Sequence, residues 1–578
     1  MELSMQISSG NVAQSSERNG DTFLRKIRGL IPINFWQEVK PLSRLAGPVC
    51  LTELMTLLIS IVSSAFCGHL GKIELDAVSL ATASVTVLGI SIGVGLSTAC
   101  DTFISQTYGS KNLKRIGVIL QRGILILLIV CFPCWALFIN IEHILLAFKQ
   151  SPAVAKLTQS YVTIFIPGLP AAFLYTLEVK YLQNQGIILP QMIIGFLTNI
   201  FNTVINYLLL FVLMLGVPGS AAANVASQYC QVIFLFVYIR WKRLHEKTWE
   251  GWSTDCLQEW GPFLRLAVPS MVMMCIEWWS FHIGMFLVGL INEVQLGAQS
   301  IIFQIITIAY RLSVGYGVSA TIHVGNALGA SNPQQAVNYA KIALLCIACI
   351  ALINSMILGA IRTVVGHVFT SDKEIVQLVA EVIPLSATFH LFDSISGVCA
   401  GVLRGAGKQK LGAIGNLVGY YLIGFPIGVS LMFAGKLGVF GLWCGMLICV
   451  LLQLVFFLTL IYRINWNKAS DEALVNAGVV QDVDASNSAS SGQMRDISTD
   501  VDTGYRAVNP IPDVCQLEPQ VKEHQVTDED SIVDTGVTVA GEILSMKQLI
   551  IRRGLAFLSG PLILAIGLVI HFTLSKDM

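Results

Sequence analysis

Runs of about 20 apolar residues begin near residues 45, 80, 118, 157, 190, 217, 263, 296, 336, 378, 411 and 438, and a separate run, GLAFLSGPLILAIGLVIHFTL, fills 554–574. At 1.5 Å of rise per residue, each is long enough to cross about 30 Å of hydrocarbon. Unpaired backbone amides cost several kcal/mol in that medium, so only helices or closed barrels can span it, and nothing here alternates like a barrel strand. The runs predict an all-α polytopic membrane protein of twelve spans followed by an extra C-terminal one. Composition agrees: 12% of the 578 residues are charged and 54% are hydrophobic, against about 25% charged in an ordinary soluble protein, and the mean hydropathy is +0.69.

Charge excludes some functions. Lys plus Arg and Asp plus Glu number 36 each, so no global bias toward nucleic acid exists. The 14 cysteines, among them Cys67, Cys100, Cys134 and Cys399, lie singly in apolar runs without the paired spacing of a metal site or disulfide scaffold. No metal and no organic cofactor is expected. No GxxxxGK[ST] loop occurs, and GAGKQ at 405–409 lacks both its spacing and its hydroxyl, which argues against an ATP-driven pump. The nine histidines form no HExxH, and no Gly-x-Ser-x-Gly elbow lies near a base, which argues against an intramembrane enzyme.

Positive charge sorts the loops. Arg25, Lys26, Arg28, Lys40 and Arg44 precede the first span; Lys111, Lys114 and Arg115 follow the second; Arg240, Lys242, Arg243 and Lys247 follow the sixth; Arg404, Lys408 and Lys410 follow the tenth. The positive-inside rule then puts the N-terminus in the cytoplasm and the far C-terminal end outside. The polar N-terminal stretch shows no cleavable signal peptide. The expected organisation is a polar, basic N-terminus over 1–35, a first lobe of six spans over 36–245, and a second over 246–463. A disordered cytosolic linker over 464–550, containing the Ser- and Asp-rich DASNSASSGQMRDISTD, leads to the thirteenth span within 551–578.

The two lobes rest on an internal repeat. FWQEVKPLSRLAGP, ending at Pro48, matches CLQEWGPFLRLAVP, ending at Pro269, an offset of 221 residues. LDAVS from Leu75 matches LGAQS from Leu296, GISIGVGLSTACDTFISQTYGSKN from Gly89 matches AYRLSVGYGVSATIHVGNALGASN from Ala309, and LQNQG from Leu182 matches LRGAG from Leu403. Each half has an even number of spans, so both enter the membrane from one side. Parallel pseudo-symmetric lobes around a central cavity follow.

QTYGS and VGNALGA after the second span of each lobe, LQNQGIILPQ and VLRGAGKQKLGA after the fourth, and EWWSF in the seventh span resemble the multidrug and toxin extrusion (MATE) family, in particular its vertebrate branch. The similarity runs through residues 36–463, and the long interval before a thirteenth helix also fits that branch. The resemblance implies a V-shaped pair of six-helix lobes in the plasma membrane, expected to act as a monomer, that exports small organic cations and drugs in exchange for protons by alternating access. A sodium-coupled exporter, or a facilitator for neutral solutes, is the alternative, since a carboxylate also binds sodium.

Glu277 lies fourteen residues past Phe263, roughly 21 Å along a helix axis. A charge at that depth costs roughly 2.5 to 3.5 kcal/mol even on the lenient insertion scale and is tolerated mainly beside a cavity or partner. Burial disfavours the charged form of a carboxyl group, whereas an approaching cation favours it, so one seat can hold a proton or a cation by turns. The resemblance places coupling carboxylates at Glu277 and Asp393. His390, one helical turn before Asp393, is positioned to tune it, and Glu53 in the first span is a candidate second proton site. Asn199, Asn202 and Asn206 form a polar stripe that fits a cavity wall or a helix–helix contact, and Trp278 and Tyr310 offer ring faces to a cation. The chain departs from the vertebrate pattern at His282 and Gln304, where that branch has acids, and at Asp393, where it has glutamate. Proton stoichiometry is left open by those three positions.

Overall fold

The computed structural model describes residues 35–479 and 544–576, and in them there is no β-strand. Twelve spans follow in chain order: α1 (Phe35–Gly68), α2 (Ile73–Gly109), α3 (Arg115–Ile139), α4 (Pro152–Phe165 with Gly168–Gln183), α5 (Leu189–Val212), α6 (Gly216–Trp241), α7 (Trp260–Gly289), α8 (Glu293–Gly329), α9 (Pro333–Ala360), α10 (Lys373–Gly405), α11 (Gln409–Phe433) and α12 (Gly438–Arg463). A short helix, α13 (Trp466–Asn476), and the thirteenth span, α14 (Met546–Lys576), complete the order.

Local chemistry sets the ends and breaks of these helices. Asn292 and Asn332 cap α8 and α9 by accepting the amides of Gln295 and Gln335 at 2.8 and 3.1 Å, satisfying donors that a helix N-terminus leaves unpaired. The two halves of α4 meet at 55°, where Pro167 removes an amide donor. Wider π-turns interrupt α2 at Thr86–Ile90, α5 at Leu208–Val212 and α11 at Leu417–Gly424.

The repeat extends to the turns. Lys111 and Ser331, with φ of 63° and 56°, end α2 and α8 in the left-handed region, and Gly216 and Gly438, at 59° and 56°, open α6 and α12. Glycine suits the second pair because a left-handed φ carries no Cβ penalty there.

The lobes meet mainly through α1 against α8, α2 against α7 and α2 against α8. The spans therefore cross the pseudo-symmetry boundary with their longest helices. The face of the bundle that carries Lys111, Lys114, Arg240 and Lys408 is called the basic face below. On it, Glu259 at the start of α7 accepts from Arg115 at 2.9 Å and from Arg122 at 3.1 Å, all three side chains nearly solvent-free.

Two boundaries differ from the expected ones. The stretch expected to be disordered from residue 464 begins with α13, whose Ala469, Ser470 and Ala473 are buried. It is held by docking, since so polar an eleven-residue helix would be marginal alone. The thirteenth span also starts earlier, at Met546, and leans on α3, where Asn140 Nδ2 donates to the Gly567 carbonyl at 2.9 Å. The DASNSASSGQMRDISTD segment and residues 1–34 lie outside the described residues.

Candidate transport site

The second lobe gathers the two acids expected to act together. Glu277 on α7 lies beside Tyr310 of α8, and Arg404 at the end of α10 is near enough for its charge to act on that carboxylate. Asp393, 6% exposed on α10, lies close enough for its charge to act on that of Glu277. Gly397, one turn beyond Asp393, makes this geometry possible: a Cβ there would stand 2.7 Å from the Tyr310 hydroxyl oxygen. Tyr420, on the π-turn of α11, is buried beside both acids, and its hydroxyl has no hydrogen-bond partner among the described residues.

Two carboxylates this close repel when both are ionised. At least one negative charge needs a proton, the Arg404 guanidinium or a visiting cation. The unpartnered Tyr420 oxygen is a further acceptor at the same place.

His390 shares the face of Asp393, yet its bonds lead elsewhere. Its Nε2 accepts from Asn354 Nδ2 on α9 at 2.9 Å, and Ser394 Oγ lies 3.4 Å from Nδ1. At 1% exposure it ties α10 to α9. His282 packs its ring edge-on to Phe303 at 6.0 Å, and it, Gln304 and Trp278 are partly buried in α7 and α8. Trp279, not Trp278, reaches across the lobes: its Nε1 donates at 3.0 Å to the Val87 carbonyl, inside the π-turn of α2.

Two members of the asparagine stripe on α5 sit in helix–helix contacts rather than on a cavity wall. Asn202 and Asn206 are 0% exposed. Asn202 Nδ2 donates to Ser227 Oγ on α6 at 2.9 Å, Asn206 Nδ2 to Ser63 Oγ on α1 at 3.2 Å, and Asn199 Nδ2 to the Met55 carbonyl at 2.8 Å. Buried amides need partners, and here α1 and α6 of the first lobe supply them. Glu53 also has a charged partner, Arg311 of α8, at 3.0 Å across the lobe boundary.

Sequence reasoning missed Arg311, Arg404 and Tyr420. Arg404 was counted with the loop charges, but α10 continues to Gly405 and carries it back toward the bundle, its guanidinium near Gly317. The first lobe holds another charge pair, Lys180 Nζ to Asp101 at 2.5 Å, with Asn184 Nδ2 donating to the second Asp101 oxygen at 3.0 Å. It occupies one lobe, apart from the Glu277 cluster in the other.

On the basic face the lobes are shut. Thr102 Oγ1 donates to the Arg404 carbonyl at 2.8 Å, and Gln106 Nε2 to the Gly405 carbonyl at 3.0 Å. A Cβ on Gly109 would lie 2.1 Å from the Asn326 carbonyl oxygen, and one on Gly329 would lie 1.9 Å from that of Gln106, so backbone touches backbone. Beneath the seam α13 joins both lobes: Asn476 Nδ2 donates to Gln106 at 3.0 Å, and Ser470 Oγ to the Leu328 carbonyl at 3.0 Å.

Comparison with known proteins agrees with this architecture. The MatE family model matches residues 48–208 and again 269–430, one match in each lobe. The chain is 52% identical to multidrug and toxin extrusion protein 1 of Danio rerio over 560 residues, covering 95% of this chain and 92% of that one. It is 50% identical to multidrug and toxin extrusion protein 2 of Mus musculus over 548 residues, covering 94% of each. Among solved structures, the eukaryotic MATE transporter AtDTX14 superposes with a TM-score of 0.74 at 30% identity, covering 77% of this chain and all of that one. The chain therefore belongs to the MatE family of multidrug and toxin extrusion transporters, as a multi-pass membrane protein with one span beyond the twelve of its paired lobes.

Proposed function

We propose that this protein exports organic cations in exchange for protons, with the two lobes exposing one site alternately to each side of the plasma membrane. The observation that carries the reading is the meeting of Glu277, Asp393 and the Tyr310 hydroxyl on three spans of one lobe. Acids at membrane depth are tolerated where they serve a pathway, and this pair holds a charge that a proton or a cation can neutralise in turn. Two states follow. With a cation bound, the carboxylates are ionised; with protons bound, the site is neutral and releases its cargo.

The basic face, assigned to the cytosol by the positive-inside rule, is the closed side of the bundle. With that face closed, release is proposed to occur on the opposite side, as an exporter requires. The chain is proposed to act as a monomer with a cytoplasmic N-terminus and the end of α14 outside.

The test is transport in liposomes that contain the purified protein. A labelled quaternary ammonium ion should accumulate when the lumen is acid, and an ionophore that equalises pH should abolish the uptake. Uptake that ignores pH but follows an imposed sodium gradient would replace the proton with sodium.

A further inference from the structure

Helices α1 and α8 belong to different lobes and cross as an antiparallel pair. From the basic face upward, Ser319 Oγ donates to the Leu42 carbonyl at 2.9 Å, Ser43 Oγ meets the Tyr316 hydroxyl at 3.2 Å, and Cys50 Sγ meets the Leu312 carbonyl at 3.4 Å. At Gly315 a Cβ would stand 2.7 Å from the Ala46 carbonyl oxygen. The series ends, on the side away from the basic face, with Arg311 Nη1 on Glu53 Oε2 at 3.0 Å.

This pair differs from the contacts below it. Its side chains keep 23% and 29% of their exposure, and charges at such depth face water or a polar chamber rather than lipid tails. The guanidinium is lightly held, because its Nε is buried without a hydrogen-bond partner among the described residues. Its neighbour in sequence, Tyr310, sets its hydroxyl against Gly397 in the Glu277–Asp393 cluster. Adjacent helical residues point about 100° apart, so α8 presents a cation to the acid of one lobe and a hydroxyl to the acid of the other.

We propose that Arg311 is a tethered stand-in for the transported cation: it neutralises Glu53 when the chamber is empty, and an incoming organic cation competes with it for that carboxylate. The proposal rests on the cation-export reading above and adds a second acid to the substrate's path. Arg311 thereby sets a threshold. A solute gains Glu53 only by displacing a guanidinium, and its arrival frees the uppermost contact between α1 and α8. Neutral solutes cannot do this.

The experiment measures tetraethylammonium uptake into acid-lumen liposomes bearing the full chain; this ion's charge is permanent, so pH acts on the protein alone. Arg311→Gln should lower KM about three- to ten-fold, as expected for loss of a competitor held by a partly exposed ion pair, with kcat reduced. Arg311→Lys should stay near the unaltered protein, and Glu53→Gln combined with Arg311→Gln should lose the gain in affinity. If Arg311→Gln does not assemble, Arg311→Met, at home among apolar helices, reads the same outcome. An unchanged or higher KM in the neutral single variant overturns the proposal, as does an equal gain in the double variant. Failure of the unaltered protein to respond to an acid lumen would instead overturn proton exchange.

Discussion

The Lys180 ammonium stands 2.5 Å from the Asp101 carboxylate, with the two side chains only 12% and 8% exposed. The pair joins α4 to α2 inside the first lobe, and Asn184 takes up the remaining oxygen at 3.0 Å. A buried pair of this kind is neutral as a unit but hazardous when halved.

Asp101→Asn is therefore expected to destabilise the protein by about 3 to 5 kcal/mol, because it strands the lysine charge. Adding Lys180→Met should recover most of the loss. Thermal unfolding in detergent measures both; equal melting of Asp101→Asn and the unaltered protein would contradict the argument.

Glu277→Gln should fold and insert yet lose exchange. A carboxamide cannot alternate between neutral and charged, and removing a buried charge partner costs about 2 kcal/mol or more, roughly thirty-fold in cation binding. The readout is uptake into acid-lumen liposomes beside a melting curve that shows the variant folded.

Tyr310→Phe removes the hydroxyl that lies beside Glu277, where it can donate to the ionised carboxylate, while keeping the ring. A hydrogen bond to a charged group is worth about 1.5 to 3 kcal/mol, so kcat/KM should fall at least about ten-fold. Transport kinetics at several lumenal pH values test it, and an unaltered profile would remove Tyr310 from the site.

Asn202→Ala should act on stability alone. Polar contacts between membrane helices are worth about 0.6 kcal/mol on average and up to about 1.7, and Asn202 is shut between Ser63 and Ser227. Melting should drop while KM for the cation stays put; a raised KM would return the stripe to the cavity wall.

Much of this was readable in the sequence, for reasons that particular residues make plain. Hydrocarbon thickness fixes span length, so the apolar runs located all thirteen spans, and Pro48 with Pro269 announced a duplication that reappears as matched left-handed turns. Glu277 stood out because so few charges survive at its depth. The partners did not stand out. Arg311 and Arg404 are ordinary residues in sequence, and only the crossing of α8 with α1 and the extra turn of α10 show what they face. The asparagine stripe was ambiguous for a related reason, since a spacing of three and four defines a face but not what covers it. Helix α13 was invisible because its polar sequence lacks a span's signature and its burial comes from docking.

The glycine contacts at the closed face bear on what can leak past it. Where Gly329 meets the backbone at Gln106 and Gly109 meets that at Asn326, no side chain can swing aside to admit a file of water. Such a joint is either wholly made or wholly parted. Neither water nor the small ions it carries have a file to follow through such a joint while it is made.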